Sequence, residues 1–346
     1  MQPQLHPYLH ENIKIWFQVT SVLFAWFVNL LLINLILEKS PKKMGNYRYL
    51  MIYFCCFSLF FATLDLIVQP NIHTYKSAFF MVMDYKKRNI PREVAKVLIC
   101  AMCGCFGTTI YGIAVHFIYR LFALERKGRL RFFQEQYLIF WFIIPILGGA
   151  AWFAVCFTVF SMDPVKTDYI RQTVKDYFNL DIDECAYAGA AFYPIDKSGT
   201  QIISGRSFIG FGLFLGIMTV PFLVVILAGG KSYFIIKGLL KQGETRFSKN
   251  LQMQLYKALV AQTVIPMLLL FIPFGTIFIL PIFEIDCQIL SAPITFGYAM
   301  YPAIDPLPIL IYVDYYRQPV AEFFALACGK KTARVGVYEE ESSNRI

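Results

Sequence analysis

Few side chains in this sequence could do chemistry, and the informative ones sit inside apolar runs. Arg120 closes the run Val97 to Arg120, VLICAMCGCFGTTIYGIAVHFIYR, which holds no other Lys, Arg, Asp or Glu. A guanidinium at the end of such a run either snorkels to a membrane face or acts as a switch read by a partner. His116 precedes it by one helical turn, where an interhelical hydrogen bond is expected, and Tyr119 adjoins it. Two carboxylates lie inside apolar runs, Asp65 and Asp305, the second in Tyr301-Pro-Ala-Ile-Asp305-Pro306. Buried polar groups of this kind clasp helices together or rearrange between two states, and Asn29 is the amide placed to join Asp305 in such a network. Enzymatic chemistry finds no support. The four His are scattered, and there is neither a Ser/His/Asp arrangement within a run nor a Gly-rich phosphate loop. The seventh apolar run carries no Lys, which excludes a retinal Schiff base there. The expectation is a protein that is not an enzyme and uses no cofactor and no metal.

The elements that must position these residues are transmembrane helices. The chain has 346 residues, 57% hydrophobic and only 16% charged, where soluble domains carry about 25% charged residues. Mean hydropathy is +0.53. Seven apolar stretches read as spans, at 15–37, 49–68, 97–119, 137–160, 207–228, 258–280 and 289–313, each near the length that crosses a hydrocarbon core of about 30 Å. The expected fold is therefore an all-α, seven-transmembrane helix bundle with the N-terminus outside, residues 1–331 forming a single domain. Residues 332–346 are polar and read as a disordered cytoplasmic tail. The fifth to seventh spans carry prolines, among them Pro266 and Pro306, which make hinges in membrane helices.

Lys and Arg in the connections set the orientation. The loops after the first, third and fifth spans are basic, so they face the cytosol and the N-terminus lies outside. The net charge of +9 then belongs to loops facing anionic lipid, not to a nucleic-acid site. The six basic residues between Lys76 and Lys96 oppose the rule. The long outer loop from Ser161 to Arg206 shows no clear periodicity but contains aromatics, and reads as a lid over the helix mouth. The segment after Tyr315 reads as a short amphipathic helix on the inner leaflet, with Cys328 at its end a candidate for palmitoylation.

The nine Cys form no metal pattern. Cys185 falls in a polar loop and is the candidate for a disulfide, with either Cys100 or Cys287. The outer halves of the spans offer apolar and aromatic side chains: Cys103 and Phe106 on the third, Phe208 and Phe211 on the fifth, Phe271 and Phe274 on the sixth, Tyr298 on the seventh. Asp65 sits at the outer end of the second and faces this space or the water. A cavity so lined suits a small, neutral, volatile or lipid-soluble ligand.

Four blocks in order carry a resemblance: KSPKKMGNYRYLMIY from Lys39, HFIYRLFAL from His116, QLYKALVAQTVIPMLLLFIP from Gln254 and YPAIDPLPILIYVDYYR from Tyr301. They resemble the nematode seven-transmembrane chemoreceptors of the Str class, the serpentine receptors to which the diacetyl odorant receptor belongs. The resemblance covers about Asn29 to Lys331. It implies a G-protein-coupled odorant receptor in the plasma membrane of sensory cilia. Its partners would be a heterotrimeric G protein, a small-molecule odorant and membrane lipid. Tyr119 and Arg120 would couple to the G protein, with Lys249 and Lys257 steering it. Asn29, His116, Pro266, Asp305 and Pro306 would form the activation network. Ile309 departs from the Tyr of rhodopsin-like receptors at the equivalent place. A ligand-gated channel of the insect odorant-receptor kind is the alternative, and the basic inner loops and charge-poor spans oppose it.

Overall fold

The computed structural model describes residues 7–41, 44–125, 127–196, 199–239, 245–285 and 287–327. Cys328 and the tail 332–346 lie outside these. In chain order the elements are α1 (Pro7–Lys39), α2 (Tyr47–Val68), β1 (Asn71–Tyr75), β2 (Ala78–Asp84), α3 (Arg92–Glu125), α4 (Leu138–Thr158), α5 (Pro164–Phe178), β3 (Cys185–Ala191), α6 (Gly205–Gly238), α7 (Arg246–Pro266), a π-helical turn (Met267–Phe271), α8 (Ile272–Ile279), α9 (Ser291–Ile304), α10 (Leu307–Tyr312) and α11 (Asp314–Ala327).

Among the described residues, six helical runs are long and apolar enough to cross a membrane: α1, α2, α3, α4, α6 and the run Arg246–Phe283 that contains α7, the π turn and α8. The seventh apolar stretch is helical but broken. Its two pieces, α9 and α10, meet at Asp305-Pro306. Pro306 has no N–H to continue the ladder, and Ile309 N–H turns back to Pro306 O (3.2 Å). The helix α3 runs deepest in the bundle, and its Gly104 and Gly107 lie against Gly148 and Gly149 of α4. Glycines at this spacing let two membrane helices approach backbone to backbone. The last helix, α11, buries Tyr316 and exposes Phe323, Phe324 and Leu326, as an interfacial helix does.

The segments outside the spans are more regular than the sequence suggests. The hairpin β1–β2 pairs antiparallel with β3 in the order β1-β2-β3, with Val82 opposite both Asn71 and Tyr187. Strand period two divides the sheet cleanly. Phe79, Met81, Met83, Ala186, Ala188 and Ala190 pack down on the helix bundle. Ala78, Phe80, Val82, Cys185 and Tyr187 face up and are covered by Ile170 and Val174 of α5. Gly189 opposes Phe80, and a Cβ there would come within 2.5 Å of Phe79 O, so only glycine fits. The lid expected over 161–206 thus supplies one strand of a three-stranded sheet and the helix that caps it. Asp163 caps that helix at its N-terminus by accepting from Lys166 N, with Pro164 following.

The basic loop between Lys76 and Lys96 forms ion pairs and hydrogen bonds with its neighbours. Lys86 pairs with Glu184, Lys87 with Glu11 (2.6 Å) and Lys96 with Glu93 (2.7 Å). Arg88 donates to Val68 O and to Gln69 Oε1 (3.0 Å), where Gln69 closes α2 in the left-handed conformation. Lys87 and Arg88 thus tie this loop to the ends of α1 and α2, and Lys86 ties it to the segment before β3.

Candidate functional site

The chain positions chemistry at two ends. At the end of α3, the residues 116, 119 and 120 converge on Tyr47, the first residue of α2. His116 Nδ1 lies 3.2 Å from Tyr47 OH. Tyr119 OH accepts from Tyr47 N (3.1 Å) and donates to Met44 O (3.2 Å). The Arg120 guanidinium lies 4.1 Å from the centroid of the Tyr47 ring and donates to Gln252 Oε1 of α7 (2.9 Å). Arg120 is 2% exposed, yet its Nε and Nη2 have no hydrogen-bond partner. A cation over a tyrosine face is favourable, but a buried guanidinium with unmet donors carries a desolvation cost that an acceptor would relieve. Of the two expected steering lysines on α7, Lys249 is half-buried and Lys257 is exposed.

Asn29 and Asp305 do not bond to each other. Asn29 Nδ2 donates to Ala25 O (2.8 Å) and to Pro302 O (3.1 Å). Pro302 O is the carbonyl that the missing N–H of Pro306 would have served, so Asn29 of α1 takes the vacant acceptor. Asp305 Oδ1 instead accepts from Tyr301 OH (3.1 Å), and Asp305 O accepts from Gln262 Nε2 of α7 (3.0 Å). Gln262 escaped the sequence reading. The sequence marks only the break at Pro306; there Ile309 N–H turns to Pro306 O, and Asp305 O is left for a neighbouring amide. Pro266 ends α7, and the ladder beyond it loosens into the π turn. Ile309 is buried in the inner core beside Leu255 and Tyr316.

At the other end lies an apolar chamber of about 40 Å³ under the sheet. Its floor and walls include Cys103, Phe106, Trp152, Cys156, Phe274 and Tyr298; its roof is Phe79, Met81, Ala188 and Gly189. The one wall hydroxyl, Tyr298 OH, donates to Met102 O (2.6 Å), so it is already committed. Of the expected pocket residues, Cys103, Phe106, Phe274 and Tyr298 meet here. Phe211 and Phe271 line an adjoining cleft instead. Phe208 packs on Phe192 and Tyr193 at the lid edge. Asp65 does not line the chamber: it is buried against α1, where Gln18 Nε2 donates to its Oδ2 (3.1 Å).

The disulfide is not formed in either pairing. Cys185 and Cys100 are buried thiols, and Cys287 Sγ donates to Thr74 Oγ1 (3.5 Å). Burial in the sheet pushes the Cys185 thiol up to about 12. The lid is held by polar contacts in place of a crosslink. Lys166 donates to Ser161 O and Gly189 O (3.2 Å) and pairs with Asp163 (3.2 Å); burial lowers its pKa while Asp163 opposes that.

A helical membrane bundle with a roofed apolar chamber at one end and a buried arginine at the other is the arrangement of a membrane receptor. The family model described as "Serpentine type 7TM GPCR chemoreceptor Str" matches residues 14–321. "G-protein coupled receptor str-217" of Caenorhabditis elegans is 32% identical over 303 residues, 87% of this chain and 86% of the relative. "Serpentine receptor class r-10" of Caenorhabditis briggsae is 30% identical over 305 residues, 86% of each chain. "Serpentine receptor class r-10" of Caenorhabditis elegans is 27% identical over 328 residues, 94% of each. The chain belongs to the Str family of serpentine 7TM GPCR chemoreceptors, and it is a multi-pass membrane protein.

Proposed function

We propose that this chain is an odorant receptor that binds a small, uncharged, apolar molecule in the chamber and activates a heterotrimeric G protein at the Arg120 end. The observation that carries this reading is Arg120: 2% exposed, resting on Tyr47, held by Gln252 alone, with two donor nitrogens unmet. Such a group is poised to donate to carbonyls or carboxylates of an inserted partner segment once α7 moves away. The chain crosses the membrane seven times, with α9 and α10 together as the last crossing, the N-terminus outside and the tail in the cytosol. Residues 1–331 act as one unit in the plasma membrane, in sensory cilia of chemosensory neurons.

Activation is a population shift. Ligand in the chamber contacts Phe274 on α8, and the π turn after Pro266 lets α8 and α7 move relative to each other. Outward movement of α7 separates Gln252 from Arg120. By linkage, the G protein must then tighten ligand binding. The test is a panel of small neutral volatiles on cells expressing the receptor, reading cAMP, cGMP and calcium. Arg120→Ala at matched surface expression should lower the response at least about tenfold, within the usual range of coupling energies. An undiminished response from that variant would remove Arg120 from the coupling role.

A further inference from the structure

Beside the chamber lies a second apolar space, a cleft of about 210 Å³ between α6 and the π turn with α8. Leu215, Met218 and Phe222 of α6 form one side; Met267, Ile272, Gly275 and Ile279 form the other. Leu215, Ile272 and Ile279 are 52%, 55% and 44% exposed, and all three lie in runs apolar enough to cross a membrane. Their solvent there is hydrocarbon, so the cleft opens to the bilayer. The same five side chains, Phe106, Trp152, Phe214, Phe274 and Phe278, line both the cleft and the chamber. They form a partition one ring thick. Trp152 stacks on Phe214 at 4.0 Å, Phe106 meets Phe274 at 5.1 Å, and Phe278 lies 5.9 Å from each of Phe214 and Phe274.

The route from water is different. The chamber roof is a sheet whose strands β2 and β3 pair along their whole length, and Phe79 of the roof sits 4.3 Å from Phe278. Opening that roof breaks main-chain hydrogen bonds and bares two apolar faces to water. Turning a ring of the partition breaks no hydrogen bond and exposes apolar surface only to lipid. Rotamer changes of this kind are fast, whereas opening of a packed lid is slow. Size points the same way. A chamber of about 40 Å³ admits only water-sized guests, while chamber and cleft joined approach the roughly 300 Å³ where ligand pockets begin.

We propose that the ligand reaches the chamber from within the bilayer, through the α6/α8 cleft, as an uncharged apolar molecule already dissolved in lipid. The five-ring partition is the door, and the bound ligand occupies the joined space. This rests on the reading of the chamber as the ligand site.

The experiment uses the full chain in phosphatidylcholine nanodiscs and a small apolar probe, 3-trifluoromethyl-3-phenyldiazirine. Flash photolysis at increasing delay after mixing expels nitrogen and leaves a carbene that inserts into nearby C–H bonds; adducts are located by mass spectrometry. Gly275 lines the cleft and not the chamber, and a Cβ there meets nothing within 4 Å, so Gly275→Trp is the variant that obstructs the cleft. Wild type should label Met218 in the cleft first and Met81 and Cys103 in the chamber later. Gly275→Trp should slow chamber labelling roughly tenfold and leave Leu227, exposed elsewhere on α6, unchanged. Met218→Trp, which blocks the cleft from the α6 side, is read the same way if the first variant does not fold. Chamber labelling at the wild-type rate in the blocked receptor overturns the route. Labelling that fills the cleft and never reaches Cys103 also overturns it and leaves the cleft as a seat for lipid chains. No step requires a G protein, so a receptor that labels as expected but does not signal contradicts the signalling reading alone.

Discussion

Pro306 shows how one residue without an N–H assigns roles to residues far from it. The carbonyl it leaves unserved, Pro302 O, is met by Asn29 from α1; Asp305 O, passed over when Ile309 N–H turns to Pro306 O, is met by Gln262 from α7. Three helices are thereby joined at one break, which is where a bundle that switches needs its joint. His73 on β1 offers a second residue-scale case. It is 2% exposed, wedged beside Tyr177 (4.5 Å), Phe178 (5.3 Å) and Phe80 (5.8 Å), and its Nε2 has no partner. Burial holds its pKa down at about 4, from 6.5. Between those values the unfolded lid binds the proton and the folded lid does not. Its contribution to stability is therefore complete above pH 6.5 and lost as pH falls toward 4. Near pH 5 the lid should be about 2 kcal/mol easier to open than at neutral pH. Hydrogen exchange in β1 and α5 should rise accordingly, and His73→Phe should flatten the dependence. Exchange that is equal at the two pH values would show that His73 does not report on the lid.

At the scale of elements, the tightest joint is the seam between α3 and α4. A Cβ on Gly149 would lie 2.0 Å from Thr108 Oγ1 and 2.9 Å from Gly104 O, so no side chain fits without parting the helices. Gly149→Leu should cost about 1–3 kcal/mol or more and lower both thermal stability and yield of folded receptor. Gly230→Leu is the control, because a Cβ there meets nothing within 4 Å. Equal melting temperatures for the two variants would mean that the seam can spread at little cost. The seam bears on the proposed coupling because Gly104 and Gly107 flank Phe106 on the helix that also carries Arg120.

For the whole molecule, α7 is clasped twice in its N-terminal half. Gln252 holds Arg120 of α3, and two residues later Gln254 holds Asp314 of α11 reciprocally: its Nε2 donates to Asp314 Oδ2, and its Oε1 accepts from Asp314 N (3.1 Å). Both must open if α7 swings. Gln254→Ala should therefore raise ligand-free signalling, by about fivefold for a loss of about 1 kcal/mol, read as basal second messenger at matched expression. Unchanged basal output would place the clasp outside the switching motion. The same motion would displace the π turn and α8, and with them Phe271 and Phe274.

The sequence by itself determined the solvent and the end points. Transfer of an apolar residue into hydrocarbon is local and nearly additive, so the long spans and the exceptional Arg120, Asp65 and Asp305 could be read one window at a time. It did not reveal the sheet. The segment Ala78–Asp84 is buried on both faces, which erases the alternation that marks a strand. Its partner β3 and its cover α5 lie beyond two further helices. Nor could it sort the phenylalanines. Phe106, Phe208, Phe211 and Phe274 are identical in type and all lie in outer halves of spans. Only packing put Phe106 and Phe274 in the partition, Phe211 in the cleft and Phe208 under the lid edge. Hydrogen-bond partners such as Gln262 and cavities one ring apart depend on neighbours distant in the chain, and those are decided by the tertiary structure alone.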